Sequence, residues 1–328
     1  MKDPKLLETM KDYKGRDELP ADFDTFWDQA LAKMTELPEY KLEERDFSIP
    51  NVICYELTFK GTRDGLVYAR VVFPKTDQKV PVIFHFHGYM GRCWDWADML
   101  AYTVAGHGVV SMDVRGQSGY STDGDRSPLG NTVKGQIIRG AVEGPDELFY
   151  KDVYLDLYQL IEIVAASLPQ VDDSKLASYG ASQGGALALV AAGLNPRIQR
   201  TVAIYPFLSD FRRVLEIGNT SEAYDELFRY FKFHDPFHET EDRLMQTLAY
   251  IDVKNFAHRI KGQVHMITGL DDDVCYPETQ FAIYNRLECP KEHLIMPEYA
   301  HEAMNVQVND RVYNWLCGSK IPFRYIEK

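Results

Sequence analysis

The run KLASYGASQGGALALVAAGL, residues 175–194, constrains this chain more than any other. It reads as a strand, a bend in which Gly180 and Gly184 flank Ser182, and an apolar helix. A Gly-x-Ser-x-Gly pattern arises by chance, so its context carries the weight. A serine that directly follows a strand and opens a helix must project from a sharp turn, and the flanking glycines let strand and helix pass without Cβ clashes. The helix start also offers free N–H groups and the positive end of its dipole. The simpler reading is a glycine-rich helix start with a solvent-facing serine. The strand before and the helix after favour a nucleophile.

The rest of the chain repeats the strand–helix alternation. VPVIFHFHG (80–88) is a nearly continuous apolar strand, followed by a helix at 94–105 and the strand GVVSMDVRG (108–116). A loop rich in Gly, Ser and Asp covers 116–144. A helix at 146–168 carries Val153, Leu157, Leu160, Ile161 and Val164 on one face. After the 175–194 run come strands at 200–206 and 263–269, a helix at 277–288, a strand at 293–299 and a helix at 302–317. This alternation predicts a mostly parallel, twisted α/β sheet with helices on both faces, the α/β-hydrolase fold. CYELTFK (54–60) and VYARVVF (67–73), joined by Gly61-Thr-Arg-Asp-Gly65, read as a hairpin that adds an antiparallel edge. Residues 1–50 read as a helical extension, with helical spacing from Phe23 to Met34. Between Pro206 and Gly262 no strand signal occurs, and helix-like patterns at 221–233 and 239–250 predict a helical cap inserted at 207–260. The reading is one domain over 1–328, without internal repeats.

The net charge of −13 argues against nucleic acid and anionic membrane surfaces as partners. The cysteines at 54, 93, 275, 289 and 317 are odd in number and show no CxxC spacing, which leaves a disulfide framework or zinc site poorly supported. The first twenty residues are charged throughout, and the longest apolar run, Ala186–Leu194, is far short of the ~18 residues of a membrane span. These features predict a soluble, reduced, cytoplasmic protein.

A serine hydroxyl needs a base, and in this fold the chain order is serine, acid, histidine. His234 and His238 fall in the cap, His258 just before a strand, and His265 and His293 inside strands. His301 alone follows the last strand, in the loop PEYAHE, where the bland alternative is a lone surface histidine. The acid should follow the preceding strand, which runs into Asp271, Asp272 and Asp273. At least two of these three serve as turn formers or a helix cap, and spacing does not choose among them. The oxyanion hole needs two N–H donors: that of Gln183, after the serine, and one from the loop His87-Gly88-Tyr89-Met90-Gly91, where Tyr89 is the candidate. His85 and His87, two apart, hint at a metal, but no third ligand is evident.

Three motifs resemble those of the acetyl xylan esterase/cephalosporin C deacetylase family, carbohydrate esterase family 7: Arg115-Gly116-Gln117, Gly180-Ala181-Ser182-Gln183-Gly184 and His301-Glu302. HFHGY (85–89), DVYLDLY (152–158), YPFLSDF (205–211) and TLAYIDVKNFAHRI (247–260) are similar too, so the likeness runs from about residue 20 to the end. It implies that Asp272, within Gly269-Leu270-Asp271-Asp272, is the acid, and it supports Ser182, His301 and the N–H groups of Tyr89 and Gln183. It further implies removal of O-acetyl groups from small substrates such as acetylated xylo-oligosaccharides or cephalosporin-type compounds, an intracellular enzyme without cofactor, and a ring-like hexamer. Arg115 and Gln117 are expected to be structural. Tyr89, Trp94 and Tyr205 are the candidate substrate contacts. Trp94 and Trp96, and Val-Cys-Tyr-Pro at 274–277, depart from the family pattern and are expected to line the acyl or alcohol pocket. Two competing readings are a generalist short-chain carboxylesterase and a non-catalytic binding protein that keeps the fold.

Overall fold

Nine strands occur among the described residues of a computed structural model, which are 4–124, 135–218, 221–304 and 306–318. The strands are β1 (Tyr40–Arg45), β2 (Val52–Lys60), β3 (Leu66–Pro74), β4 (Val80–Phe86), β5 (Gly108–Met112), β6 (Val171–Ala181), β7 (Ile198–Ile204), β8 (Gln263–Gly269) and β9 (Lys291–Met296). They form one sheet in the order β1-β2-β3-β5-β4-β6-β7-β8-β9. β1, β2, β3 and β5 pair antiparallel in succession, and every pairing from β5 through β4 to β9 is parallel. The helices are α1 (Pro4–Met10), α2 (Phe23–Ala32), α3 (Trp96–Val104), α4 (Phe149–Ser167), α5 (Gln183–Leu194), α6 (Phe211–Ile217), α7 (Asp225–Phe233), α8 (Glu241–Leu248), α9 (Pro277–Arg286) and α10 (Val308–Cys317).

Successive side chains of a strand point to opposite faces, and the core divides accordingly. Val82, Phe84 and Phe86 of β4 join the apolar cluster under α4 and α5, whereas Ile83 joins the cluster under α3 and α10. Ala203 and Val202 of β7 divide the same way. All twelve residues of α5 are buried, which is why its sequence has no polar stripe. Helices thus cover both faces of a mostly parallel sheet, and the fold is that of the α/β-hydrolases. Among the described residues no helix is long and apolar enough to cross a membrane.

The structure departs from the sequence reading in specific places. Residues 40–45 are not helical extension but the edge strand β1; YKLEER has no apolar alternation because both its faces are largely exposed. Such charge is how sheet edges resist further pairing. Among the described residues, the 207–260 segment carries the three α-helices α6, α7 and α8 and a 3-10 helix at Val253–Arg259, more than the two helical patterns read from the sequence, with residues 219–220 outside the described set. Of the long 116–144 loop, residues 125–134 lie outside the described residues. β9 ends at Met296, not 299, because the chain turns there: Tyr299 N–H donates to Met296 O at 3.4 Å. The last helix starts at Val308 rather than 302, after Gln307 in a left-handed conformation, with residue 305 outside the described set. These two shifts release the segment that carries His301.

Candidate active site

Ser182 sits between β6 and α5 with φ 56° and ψ −121°, a conformation that costs a non-glycine residue about 1–3 kcal/mol. Its neighbours hold it there. Its N–H donates to Ile204 O at 2.9 Å, and its carbonyl accepts from Ala186 N–H and Phe207 N–H, each at 3.1 Å. The glycines are needed because a Cβ on Gly180 would meet Gly184 C at 2.3 Å, and one on Gly184 would meet Phe86 O at 1.9 Å. The bend therefore presses against the end of β4, where the other half of the site begins.

His301 reaches over from the loop after β9. Its Nε2 lies 3.0 Å from Ser182 Oγ, and its Nδ1 lies 2.9 Å from Asp272 Oδ2. Of the three consecutive aspartates, the structure brings Asp272 to the imidazole. Its buried carboxylate is fixed from three further directions: Val274 N–H and Cys275 N–H donate to Oδ1 at 2.9 and 2.8 Å, and Gln280 Nε2 donates to Oδ2 at 3.2 Å. Tyr205 packs its ring 4.4 Å from the His301 ring and is itself buried, which lifts its phenol to about 12. Cys275 is fully buried in contact with Ser182, and burial together with the Asp272 carboxylate raises its thiol well above the ordinary range.

The other histidines are engaged elsewhere. His258 meets Asp24 at 2.9 Å, His238 meets Glu241 at 2.6 Å, and His293 meets Thr268 at 2.8 Å. His265 lies 3.3 Å from Glu292, and His234 stacks on Tyr230.

A turn closes the site on the β4 side. Gly91 N–H donates to Gly88 O at 2.9 Å, with Met90 at φ 57°. A Cβ on Gly88 would stand 4.0 Å from Ser182 Cβ, which puts this turn directly beside the serine. His87 braces it: the ring accepts from Val114 N–H at 2.9 Å through Nε2, so Nδ1 carries the proton and donates to Gly88 O at 2.7 Å. Burial keeps this imidazole neutral by lowering its pKa. His85 points instead at Ser111 Oγ, 2.8 Å away. Met90 N–H donates to Gln117 Oε1 at 2.9 Å, and Ser118 Oγ donates to Met90 O. Tyr89 and Gln183 thus occupy the two segments that flank Ser182. Gln183 opens α5, where the first N–H groups have no partner within the helix.

Trp94 sits on the far side of β4 from Phe84 and Phe86. Its ring stacks on His85 at a centroid distance of 3.6 Å and packs against Tyr102 and Tyr179, in the cluster under α3 and α10. It lines a 630 Å³ cavity with Asp98, Tyr313 and Asp310. Its indole thus packs β4 and β6 against α3. Trp96 likewise lies under the Arg70 guanidinium and near Phe47.

Several supporting residues escape the sequence reading because they come from distant segments. Gln280 is one; Tyr150, whose hydroxyl donates to Gln183 Oε1 at 2.9 Å, is another. Gln136 accepts from Gln117 Nε2 at 2.8 Å. Arg115, expected to be structural, is 1% exposed and holds Asp156 with two bonds of 2.7 and 2.6 Å while its Nη1 donates to Thr62 O at 2.8 Å.

Comparison with known proteins identifies the relatives of this chain. The acetyl xylan esterase (AXE1) family profile matches residues 1–319. Acetyl xylan esterase 1 from Thermoanaerobacterium sp. JW/SL YS485 is 41% identical and superposes with a TM-score of 0.89, over 95% of this chain and 98% of that one. The acetyl xylan esterase from Paenibacillus sp. R4 is 33% identical, with a TM-score of 0.87 over 94% and 98%. The acetyl esterase Axe7A of Xylanibacter ruminicola is 31% identical over 289 residues, which is 86% of this chain; the chain spans 63% of that relative's length. With a profile matched over nearly its whole length and a fold shared with these structures, the chain belongs to the acetyl xylan esterase family.

Proposed function

We propose that this protein is a serine esterase that removes O-acetyl groups from small acetylated carbohydrates through an acyl-enzyme. The observation that carries the reading is the continuous Ser182–His301–Asp272 hydrogen-bond line at 3.0 and 2.9 Å, set on a strained strand–helix bend. In this reading His301 Nε2 takes the proton of Ser182 as Oγ bonds to the acetyl carbonyl carbon. The Nδ1–H donates to Asp272, which fixes the tautomer and stabilises the imidazolium. The N–H groups of Tyr89 and Gln183 receive the oxyanion. His301 returns its proton to the leaving alcohol as the C–O bond breaks. Water then attacks the acetyl-serine by the same route, with His301 as base, and releases acetate and the free serine.

The names of the acetyl xylan esterase relatives favour xylo-oligosaccharide acetates as substrates. The family resemblance extends the reading to cephalosporin-type acetates, to a cytoplasmic location and to a homohexamer. Tyr205, against the His301 ring, and Tyr89, beside Ser182, are the proposed substrate contacts. The test is acetate release from acetylated xylobiose and from cephalosporin C, with Ser182→Ala as control. Release by the wild type and none by the variant is expected; a wild type inert on every acetyl ester, including p-nitrophenyl acetate, would refute it.

A further inference from the structure

Tyr89 is anchored at both ends. Its backbone belongs to the turn held by Gln117 and His87. Its hydroxyl donates to Glu226 Oε1 at 3.2 Å, across from the cap helix α7. Glu226 is 7% exposed. Its other oxygen accepts from Ile137 N–H at 2.8 Å and Ile138 N–H at 3.3 Å. One carboxylate thus joins the cap, the 137–138 segment and the turn beside Ser182. The Tyr89 ring is further held by Phe207 at 5.6 Å, and Phe207 N–H donates to the Ser182 carbonyl.

A buried carboxylate is a costly anchor for a purely structural link, since an apolar contact would pack the cap without desolvating a charge. Its placement has a different consequence. With the hydroxyl held by Glu226 and the ring by Phe207, the Tyr89 Cα is confined, and with it the peptide that carries the N–H. We propose that Glu226 is a positioning residue for the reaction: by holding the Tyr89 hydroxyl from the cap, it sets the direction of the Tyr89 N–H toward the oxyanion. This rests on the esterase reading above. Burial raises Glu226 to about 7, opposed by the bonds from Ile138, Ile137 and Tyr89, so the anchor ionises near neutral pH.

The experiment is a double-mutant cycle on the full chain with p-nitrophenyl acetate, using Tyr89→Phe, Glu226→Ala and their combination, with Glu226→Gln as the conservative variant. Tyr89→Phe removes one hydroxyl and keeps the backbone donor. We expect it to lower kcat roughly 10-fold with little change in KM, as a misdirected transition-state donor should. Glu226→Ala should lower kcat at least as much, and adding Tyr89→Phe to it should cost less than a further twofold, because the two act through one bond. Glu226→Gln keeps a polar partner for the hydroxyl and should restore most of kcat. Wild-type kcat in Tyr89→Phe overturns the proposal, whatever becomes of the Glu226 variants, and so does full additivity in the cycle. Failure of the esterase reading is distinguishable: there the wild type itself has no activity.

Discussion

Gln117 and Gln183 pair their carboxamides head to tail: Gln117 Nε2 donates to Gln183 Oε1 at 2.7 Å, and Gln183 Nε2 donates to Gln117 Oε1 at 3.0 Å. The pair is fully buried. It ties the Arg-Gly-Gln motif to the serine motif, and Gln117 Oε1 also receives Met90 N–H. The two segments proposed to supply the oxyanion donors are therefore held by one side chain.

Replacing Gln117 by Leu should expose that dependence. The substitution leaves Met90 N–H and the Gln183 carboxamide short of partners, at about 1–3 kcal/mol of stability. Because both donor segments loosen, kcat should fall about 10- to 100-fold while KM changes little. Urea unfolding and initial rates on p-nitrophenyl acetate measure the two effects. A variant destabilised as expected yet fully active would show that the pair serves the fold alone.

Asp272→Asn should lower kcat about 10⁴-fold at neutral pH. A carboxamide can present its NH₂ to His301 and favour the tautomer with the proton on Nε2, which cannot take the serine proton. Val274 N–H and Cys275 N–H need an acceptor at the Oδ1 position, and that demand turns the NH₂ toward the imidazole. Gln280 Nε2 loses its acceptor at the Oδ2 position, so the melting temperature should fall modestly, and rates measured well below it separate the catalytic loss from unfolding.

Much of this arrangement can be read from the chain, and the boundary between legible and illegible parts is physical. The elbow is legible because Gly180, Ser182 and Gly184 answer a local steric demand, with a strand and a helix on either side. His301 is legible because chain order and the last strand leave it at the sheet edge. Asp272 is not separable from Asp271 and Asp273 by spacing; the family resemblance points to it, and the geometry places it at the imidazole. Gln280, Tyr150 and Glu226 are invisible beforehand, since each reaches its partner only once the sheet closes and the cap folds over. His87 and Trp94 show how little residue type alone says about a side chain's partners. His87 braces a turn, and Trp94 covers His85, contacts that only the folded sheet creates. β1 is missed because an exposed edge strand carries no apolar signal.

Glu226 gives a pH dependence with a definite sign. Its folded value, about 7, stands above the ordinary 4.5. The folded protein therefore keeps a proton that the unfolded chain has released. The stability from this group is fully present below about pH 4.5 and is lost as pH rises through about 7. Tyr89 and Tyr150 face it and stay protonated throughout, as burial raises both. Glu226→Gln removes the dependence. The difference in melting temperature, variant minus wild type, should increase between about pH 5 and pH 8. A difference that stays flat, or shrinks, contradicts the assignment.

Arg115→Lys tests the buried strut behind the loops. Lysine keeps the charge but not the fork that grips both Asp156 oxygens and the Thr62 carbonyl. A Cβ on Gly61 would lie 2.6 Å from Arg115 Nη2, so the surrounding backbone is already packed onto the guanidinium. The loss should be on the order of 3 kcal/mol, because Asp156 remains buried with its partner poorly placed. Denaturant midpoints for Arg115→Lys and for Arg115→Met with Asp156→Leu discriminate: the apolar pair should be the more stable of the two if the cost is an unmatched buried charge.

Gly184 at the bend and Gly88 in the turn beside it should respond differently to the same methyl group. At Gly184 the added Cβ would sit 1.9 Å from Phe86 O and 2.7 Å from Phe86 C, both backbone atoms of a buried strand that cannot yield. Gly184→Ala should cost more than about 4 kcal/mol and leave little soluble protein. At Gly88 the Cβ would meet Ala181 O at 3.8 Å and Ser182 Cβ at 4.0 Å, ordinary contact distances. Gly88→Ala should therefore fold with nearly the wild-type melting temperature. Its methyl group would nevertheless stand in the approach to Ser182, so kcat/KM should fall, and fall further for butyrate than for acetate esters as the acyl chain grows toward it. Equal losses for acetate and butyrate would mean that the acyl group lies on another side of the serine.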